Sequence, residues 1–148
     1  MKASEDVKKF IKGQEGNKLE AYRCPAGVWT IGYGHTGSDV RAGMKITQAE
    51  ADRLFDQDLS VFERQLTDMI HANSVTGLRQ NQFDALLSFA YNLGLSRLRG
   101  STLWRKVKAN PDDPTIADEF KRWVYAGGVK LRGLEKRRAA EAEMYKGK

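Results

Sequence analysis

An α+β fold is predicted, with a small β-hairpin lobe and a larger helical lobe joined by a long helix. Three observations predict it. Residues 14 to 37 are rich in Gly, Tyr, Trp and Thr, with Pro25-Ala26-Gly27 between two short extended runs. Thr47-Gln48-Ala49-Glu50 has the form of a capping box and opens a run with apolar residues at helical spacing. The remainder is a series of shorter helical patterns punctuated by Gly and Pro.

Ser4 is a candidate N-cap for a first short helix, with Val7, Phe10 and Ile11 on one face and an end near Gly13. The extended runs Leu19 to Arg23 and Val28 to Tyr33 read as a hairpin or small sheet. The long helix carries Ala51, Leu54, Phe55, Phe62, Leu66 and Ile70 and reaches about residue 70. After the polar stretch Asn73 to Gly77, the residues Phe83, Leu86, Leu87, Ala90 and Tyr91 mark a helix that is apolar on most sides and ends near Gly94. Leu103, Trp104 and Val107 suggest a short helix. Asp113 and Pro114 read as N-cap and first helical residue of a helix through Phe120, Trp123 and Val124, stopped by Gly127-Gly128. A last helix, basic on its outer face, is expected from about Leu134 to Tyr145. The chain is read as one domain over 1–148. The small lobe spans about 14–46, the linking helix about 47–70, and the helical lobe about 77–148 plus the N-terminal helix. Two lobes leave a cleft between them, and clefts bind extended polymers.

The length of 148 residues and the 41% hydrophobic content suit one domain with a core of its own. The formal net charge is +6, which suits a polyanionic partner or a solvated basic surface. A single cysteine, Cys24, cannot close an internal disulfide, and with only His35 and His71 beside it no standard zinc site can form. No metal and no cofactor are expected, since phosphate-binding and dinucleotide fingerprints are missing too. The first residues hold no apolar run, and no stretch is long and apolar enough to span a bilayer. A cytoplasmic, soluble product is the expectation.

Glu15 follows the first helix at the edge of the Gly-rich segment. Glycoside hydrolysis needs a carboxylic acid still protonated near neutral pH, and partial burial raises a glutamate towards that condition. A solvated surface glutamate is the plainer alternative. Cys24, at the hairpin turn, reads as a nucleophile, a base or a small buried apolar residue. Thr30 alternates with Trp29 and Ile31; if those two pack, Thr30 faces outward.

The spacing is what separates these readings. Glu15, eight residues, Cys24, five residues and Thr30 stand with Gly16, Ala21-Tyr22, Gly27 and Thr30-Ile31-Gly32-Tyr33-Gly34-His35-Thr36. This resembles the catalytic signature of phage lysozymes of glycoside hydrolase family 24, of the lambdoid endolysin type. Gln82-Phe83-Asp84-Ala85-Leu86, Ser88-Phe89-Ala90-Tyr91-Asn92-Leu93-Gly94 and Ser101-Thr102-Leu103 are similar to its central segments. Trp123, Gly127-Gly128, Gly133-Leu134, Arg137-Arg138 and Glu141 are similar to its C-terminal pattern.

The resemblance implies a lysozyme-like fold and hydrolysis of the β-1,4 bond between N-acetylmuramic acid and N-acetylglucosamine in peptidoglycan. It implies Glu15 as general acid and Thr30 as a holder of the attacking water. Aspartate often fills the second position of the triad, and Cys24 stands there as a family variant. Its role is left among thiolate base, covalent nucleophile and shaper of the water site. Tyr91 and Thr102 fall where family members contact the glycan. His35 suits a structural tie to an acidic side chain, and Arg137 or Arg138 suits either an approach to Glu15 or a solvated face. The resemblance also implies a monomer that accumulates in the host cytoplasm and needs a holin to reach the wall. The rivals are a lytic transglycosylase, which would leave a 1,6-anhydro product, and a wall-binding protein indifferent to Glu15→Gln. A nucleic-acid binder ranks last, because no basic-aromatic stacking pattern is present.

Overall fold

The computed structural model describes residues 1–147. In chain order it contains α1 (Glu5–Glu15), β1 (Lys18–Arg23), β2 (Trp29–Gly32), β3 (His35–Thr36) and α2 (Gln48–Ala72). There follow α3 (Gln80–Leu93), α4 (Leu95–Arg99), α5 (Thr102–Ala109), α6 (Ile116–Phe120), β4 (Tyr125–Ala126), β5 (Val129–Lys130) and α7 (Arg132–Lys146). The chain divides into two compact units. One is Lys8–Val61; the other is Met1–Val7 together with the chain from Phe62 onward. The α+β class expected from the sequence is the one observed.

Local chemistry starts the first two long elements. The Ser4 hydroxyl accepts from the N–H of Val7 at 3.1 Å, which caps α1. The Thr47 hydroxyl accepts from the N–H of Glu50 at 3.1 Å, and the Glu50 carboxylate accepts in return from the N–H of Thr47 at 3.3 Å. That closes the capping box and launches α2.

In the unit Lys8–Val61, β1, β2 and β3 form an antiparallel sheet in that order. Tyr22 stands opposite Thr30, and Ile31 opposite His35. The turn between β1 and β2 is closed by Gly27 N–H donating to Cys24 O at 2.8 Å and Cys24 N–H donating to Val28 O at 2.9 Å. Residues 44–46 run along the outer edge of β1, with Ala21 N–H to Met44 O and Ile46 N–H to Leu19 O, both 2.9 Å. The small core is Ile31, Val40, Ile46, Ala51 and Leu54, with Trp29 and Tyr33 packed on it. Trp29, Ile31 and Tyr33 therefore pack as the alternation requires. Thr30, expected to face outward, is instead buried at 4% exposure.

In the other unit α3 is the centre. Every residue from Gln82 to Ala90 is buried. Phe89 meets Phe120 and Trp123 edge-to-face, with ring centroids 5.8 and 5.6 Å apart. Gly94 ends α3 at φ +95, its N–H returning to Ala90 O at 2.7 Å.

Two expectations are corrected here. The helix expected to run from Pro114 through Val124 is only α6, Ile116–Phe120. Gly127 and Gly128, at φ +57 and +78, turn the chain back through the β4–β5 hairpin and do not merely stop a helix. Two central residues with positive φ are what a tight hairpin turn requires. The second concerns Arg137 and Arg138 of α7, for which a solvated face is one of the two expectations. Arg137 and Arg138 are 3% and 0% exposed and clamp Glu141, itself fully buried. Arg138 Nε lies 2.7 Å and Arg137 Nε 3.3 Å from that carboxylate. Ser88 Oγ donates to it at 2.5 Å, and Arg138 also donates to Asn92 Oδ1 at 2.9 Å. Burial pushes the Glu141 carboxyl up, and the two guanidinium groups oppose that.

Candidate active site

Glu15, Cys24 and Thr30 lie in the same unit, Lys8–Val61. Glu15 is the last residue of α1 and is half-buried. Its carboxyl lies over the backbone of Gly34: a Cβ built there would fall 2.8 Å from Glu15 Oε1. Gly34 also holds φ +79, which L side chains rarely adopt. The backbone favours glycine at this position, and a methyl group there would displace the Glu15 carboxyl.

Cys24 is half-buried at the β1–β2 turn. Its thiol is held below the ordinary cysteine range. Hydrogen bonds from the backbone of Val28 and then of Ala26 are the main causes; partial burial works the other way, and the Thr30 hydroxyl adds to the lowering. Donors aimed at sulfur favour the charged form over the neutral one.

Thr30 comes to the same place by register. It stands opposite Tyr22, two residues before Cys24, so strand alternation turns them to one side. Thr30 Oγ1 donates to Val28 O at 3.0 Å, and its hydroxyl contributes to lowering the Cys24 thiol.

Tyr22 joins the two halves of the site. Its phenol is raised above the ordinary tyrosine range, first by burial and then by the charges of Cys24 and Glu15. Its phenol thus lies within electrostatic range of both groups. The sequence pointed to Tyr22 only as part of a motif, although its place two residues before Cys24 on a strand was a usable signal.

His35 is tied on both ring nitrogens. Nδ1 lies 2.7 Å from Asp58 and Nε2 3.0 Å from Asp39. Burial alone would lower the imidazole, but hydrogen bonds from Asp58 and Asp39 prevail and hold it raised; Asp39 is lowered in return. This is the structural tie the sequence suggested. Asp39 was legible as the residue four positions on, whereas Asp58, on α2, gave no local signal.

Tyr91 and Thr102 belong to the other unit. Tyr91 is half-buried at the end of α3, its ring 5.2 Å from that of Phe62. Thr102 is exposed at the start of α5, just after Ser101, whose hydroxyl caps that helix by accepting from Trp104 N–H at 3.0 Å. Among the described residues no group of three or more His, Cys, Asp or Glu side chains is placed to hold a metal ion.

Comparison with known proteins agrees over nearly the whole length. The SAR-endolysin of Enterobacteria phage P21 is 38% identical over 132 residues, covering 89% of this chain and 77% of that one. The endolysin of Acyrthosiphon pisum secondary endosymbiont phage 1 is 36% identical over 149 residues, covering 98% of each. Among solved structures, the muramidase domain of SpmX from Asticaccaulis excentricus superposes with a TM-score of 0.84 at 34% identity, over 97% of both chains. A P22 lysozyme variant gives 0.79 at 34% identity, over 98% of both. The family model for phage lysozyme matches residues 12–141, a span that takes in Glu15, Cys24, Thr30 and Glu141, and the chain belongs to that family.

Proposed function

We propose that Glu15, Cys24 and Thr30 carry out the chemistry of this muramidase. As a phage lysozyme the chain is a glycoside hydrolase that opens the glycan backbone of the host cell wall. The bond is the β-1,4 link from N-acetylmuramic acid to N-acetylglucosamine. The observation that supports the assignment of residues is that strand register turns Thr30 and Cys24 to one side of the sheet, while the Glu15 carboxyl lies over Gly34 between β2 and β3.

In this reading Glu15, protonated, gives its proton to the glycosidic oxygen as the bond to the anomeric carbon breaks. Thr30 orients a water, and the Cys24 thiolate takes its proton as the water oxygen joins the anomeric carbon. One water is consumed, and a reducing muramic end and a free 4-hydroxyl appear. Attack from the face opposite the leaving oxygen inverts the anomeric centre. The thiolate-stabilising turn supports the base role, because the backbone of Val28 and Ala26 favours the charged form of an otherwise weakly acidic thiol. Tyr91 and Thr102 contribute to glycan binding. The chain acts as a monomeric catalytic domain, made in the host cytoplasm and reaching the wall through a separate holin. Among the described residues no helix is long and apolar enough to cross a membrane.

The test is wall-lysis turbidity with product analysis for wild type, Glu15→Gln, Cys24→Asp and Cys24→Ser. Wild type should release reducing muramic ends, Glu15→Gln should not, and Cys24→Asp should keep activity that Cys24→Ser loses. A 1,6-anhydro product would assign a lytic transglycosylase instead. Wall binding without cleavage, or a fully active Glu15→Gln, would remove the catalytic assignment altogether.

A further inference from the structure

The β4–β5 hairpin has a composition and an exposure that catalysis does not use. From Trp123 to Val129 the chain runs seven residues without a charge (Trp-Val-Tyr-Ala-Gly-Gly-Val). Lys121 and Arg122 precede this run, Lys130 and Arg132 follow it, and no acidic residue falls between 121 and 132. Tyr125, Val129 and Leu131 are 59%, 60% and 43% exposed, among the most exposed large apolar side chains of the described residues.

The register shows why these side chains are not simply the back of a packed strand. Tyr125 stands opposite Lys130, and Ala126 opposite Val129. The first pair lies on one face of the ribbon and the second on the other, yet all four residues are exposed. A ribbon resting on a core would hide one face. This one shows apolar groups on both, from a fixed root: Leu131 N–H donates to Val124 O at 2.9 Å, Val124 is buried, and Trp123 packs edge-to-face on Phe89.

The charges around the tip remain open to a partner. Arg122 is 75% exposed even while 3.1 Å from Glu119, and Lys130 is 54% exposed with Glu135 no nearer than 3.8 Å. Glu119 is shared with Lys106 at 2.8 Å, so cations still outnumber acids here.

We propose that the β4–β5 hairpin is a membrane-docking tip that seats on anionic phospholipid. An uncharged tip that exposes Tyr and aliphatic side chains, flanked by Lys and Arg, is the arrangement that lies at a bilayer interface. The apolar groups enter the headgroup boundary and the four cations meet lipid phosphates, each cation worth roughly fivefold in partitioning. A hydrated glycan or stem peptide would also satisfy the cations. It gains little by covering the isopropyl and isobutyl groups of Val129 and Leu131, whereas lipid gains directly. Docking would hold the enzyme beside the membrane that borders its substrate.

The experiment is co-sedimentation of the full chain with phosphatidylcholine vesicles and with vesicles of phosphatidylcholine and phosphatidylglycerol. Wild type should bind the anionic vesicles and not the neutral ones. Tyr125→Ser/Val129→Ser and Lys121→Gln/Lys130→Gln should each weaken binding by at least about tenfold. Lys9→Gln/Arg64→Gln, which removes as much charge elsewhere, should weaken it far less. Circular dichroism melting confirms that each variant is folded, and Val129→Ser alone serves if a double variant is not. Equal loss in the Lys9→Gln/Arg64→Gln control, or full binding by the apolar variant, would overturn the proposal. So would intact vesicle binding with weakened binding to purified insoluble peptidoglycan, which would assign the hairpin to the wall polymer.

Discussion

The sheet around Cys24 and the α3–α7 contact hold charge in opposite ways. In the sheet, a half-buried thiol is steadied by backbone groups of a tight turn and one hydroxyl. Between α3 and α7, a carboxylate with no exposure is steadied by two buried guanidinium groups and Ser88. The first arrangement leaves the sulfur partly open to solvent. The second sets opposite charges against one another out of solvent. If the proposed roles hold, buried charge serves cohesion and partly exposed charge serves chemistry, so substitutions in the two places should fail differently.

The largest effect should come from the site alone. Glu15→Gln should lower wall lysis by roughly a hundred- to ten-thousandfold, the range a general acid contributes, while its thermal unfolding stays close to wild type. A parallel fall in Tm would mean that Glu15 is structural. Glu141→Gln should behave in the reverse sense: one partner removed from a buried ion cluster costs roughly 3–5 kcal/mol of stability. Denaturant unfolding measures this, and an unchanged midpoint would show that the cluster does not hold α7 to α3.

Gly34→Ala sharpens the comparison, because it strikes both properties. The methyl group collides with the Glu15 carboxyl and the backbone is forced to hold φ +79. Stability should fall by about 1–3 kcal/mol, and lysis should fall further than that loss explains. Thermal melting with turbidity kinetics separates the two effects.

The smallest effect is a pH dependence at His35. Its imidazole is raised, so its contribution is complete below the unfolded value near about 6.5 and is lost as pH rises through the folded value. Asp39 is lowered, so its contribution is present above about 3.9 and is lost as pH falls through its folded value. The stability lost in His35→Gln should therefore be greatest between about pH 4 and 6.5 and shrink above it. Melting curves across pH check this; a loss independent of pH would show that the ring acts by packing alone. Salt gives a further check on surface charge: lysis of whole walls should fall with salt more than cleavage of a short neutral chitooligosaccharide.

What the sequence made legible follows from where each signal lies. Ser4, Thr47 and Glu50 act on backbone a few residues away, so the starts of α1 and α2 could be read directly. Alternation correctly placed Trp29, Ile31 and Tyr33 in the small core. It failed for Thr30, because burial of the opposite face depends on neighbours that strand periodicity does not contain. Pro114 and Gly127-Gly128 are strong punctuation, and a helix does begin just after Pro114, but a glycine pair ends a helix or turns a hairpin with the same residues. In the sequence Arg137 and Arg138 allow two readings, an approach to Glu15 or a solvent-facing charge. Glu141, one helical turn on, together with Ser88 and Asn92 from α3, helps to make their burial tolerable, and the α3 partners are far away in sequence. At the site, spacing and family resemblance singled out Glu15, Cys24 and Thr30. Tyr22 and Asp58 needed three dimensions.

The turn that steadies Cys24 has one more consequence, for heredity. Its two leading stabilising contacts come from the main chain at Val28 and Ala26, not from side chains. Mutations at those codons can change the side chains and leave the amides in place, provided that the turn survives. The setting of the thiol is then inherited as a loop shape more than as a string of residues.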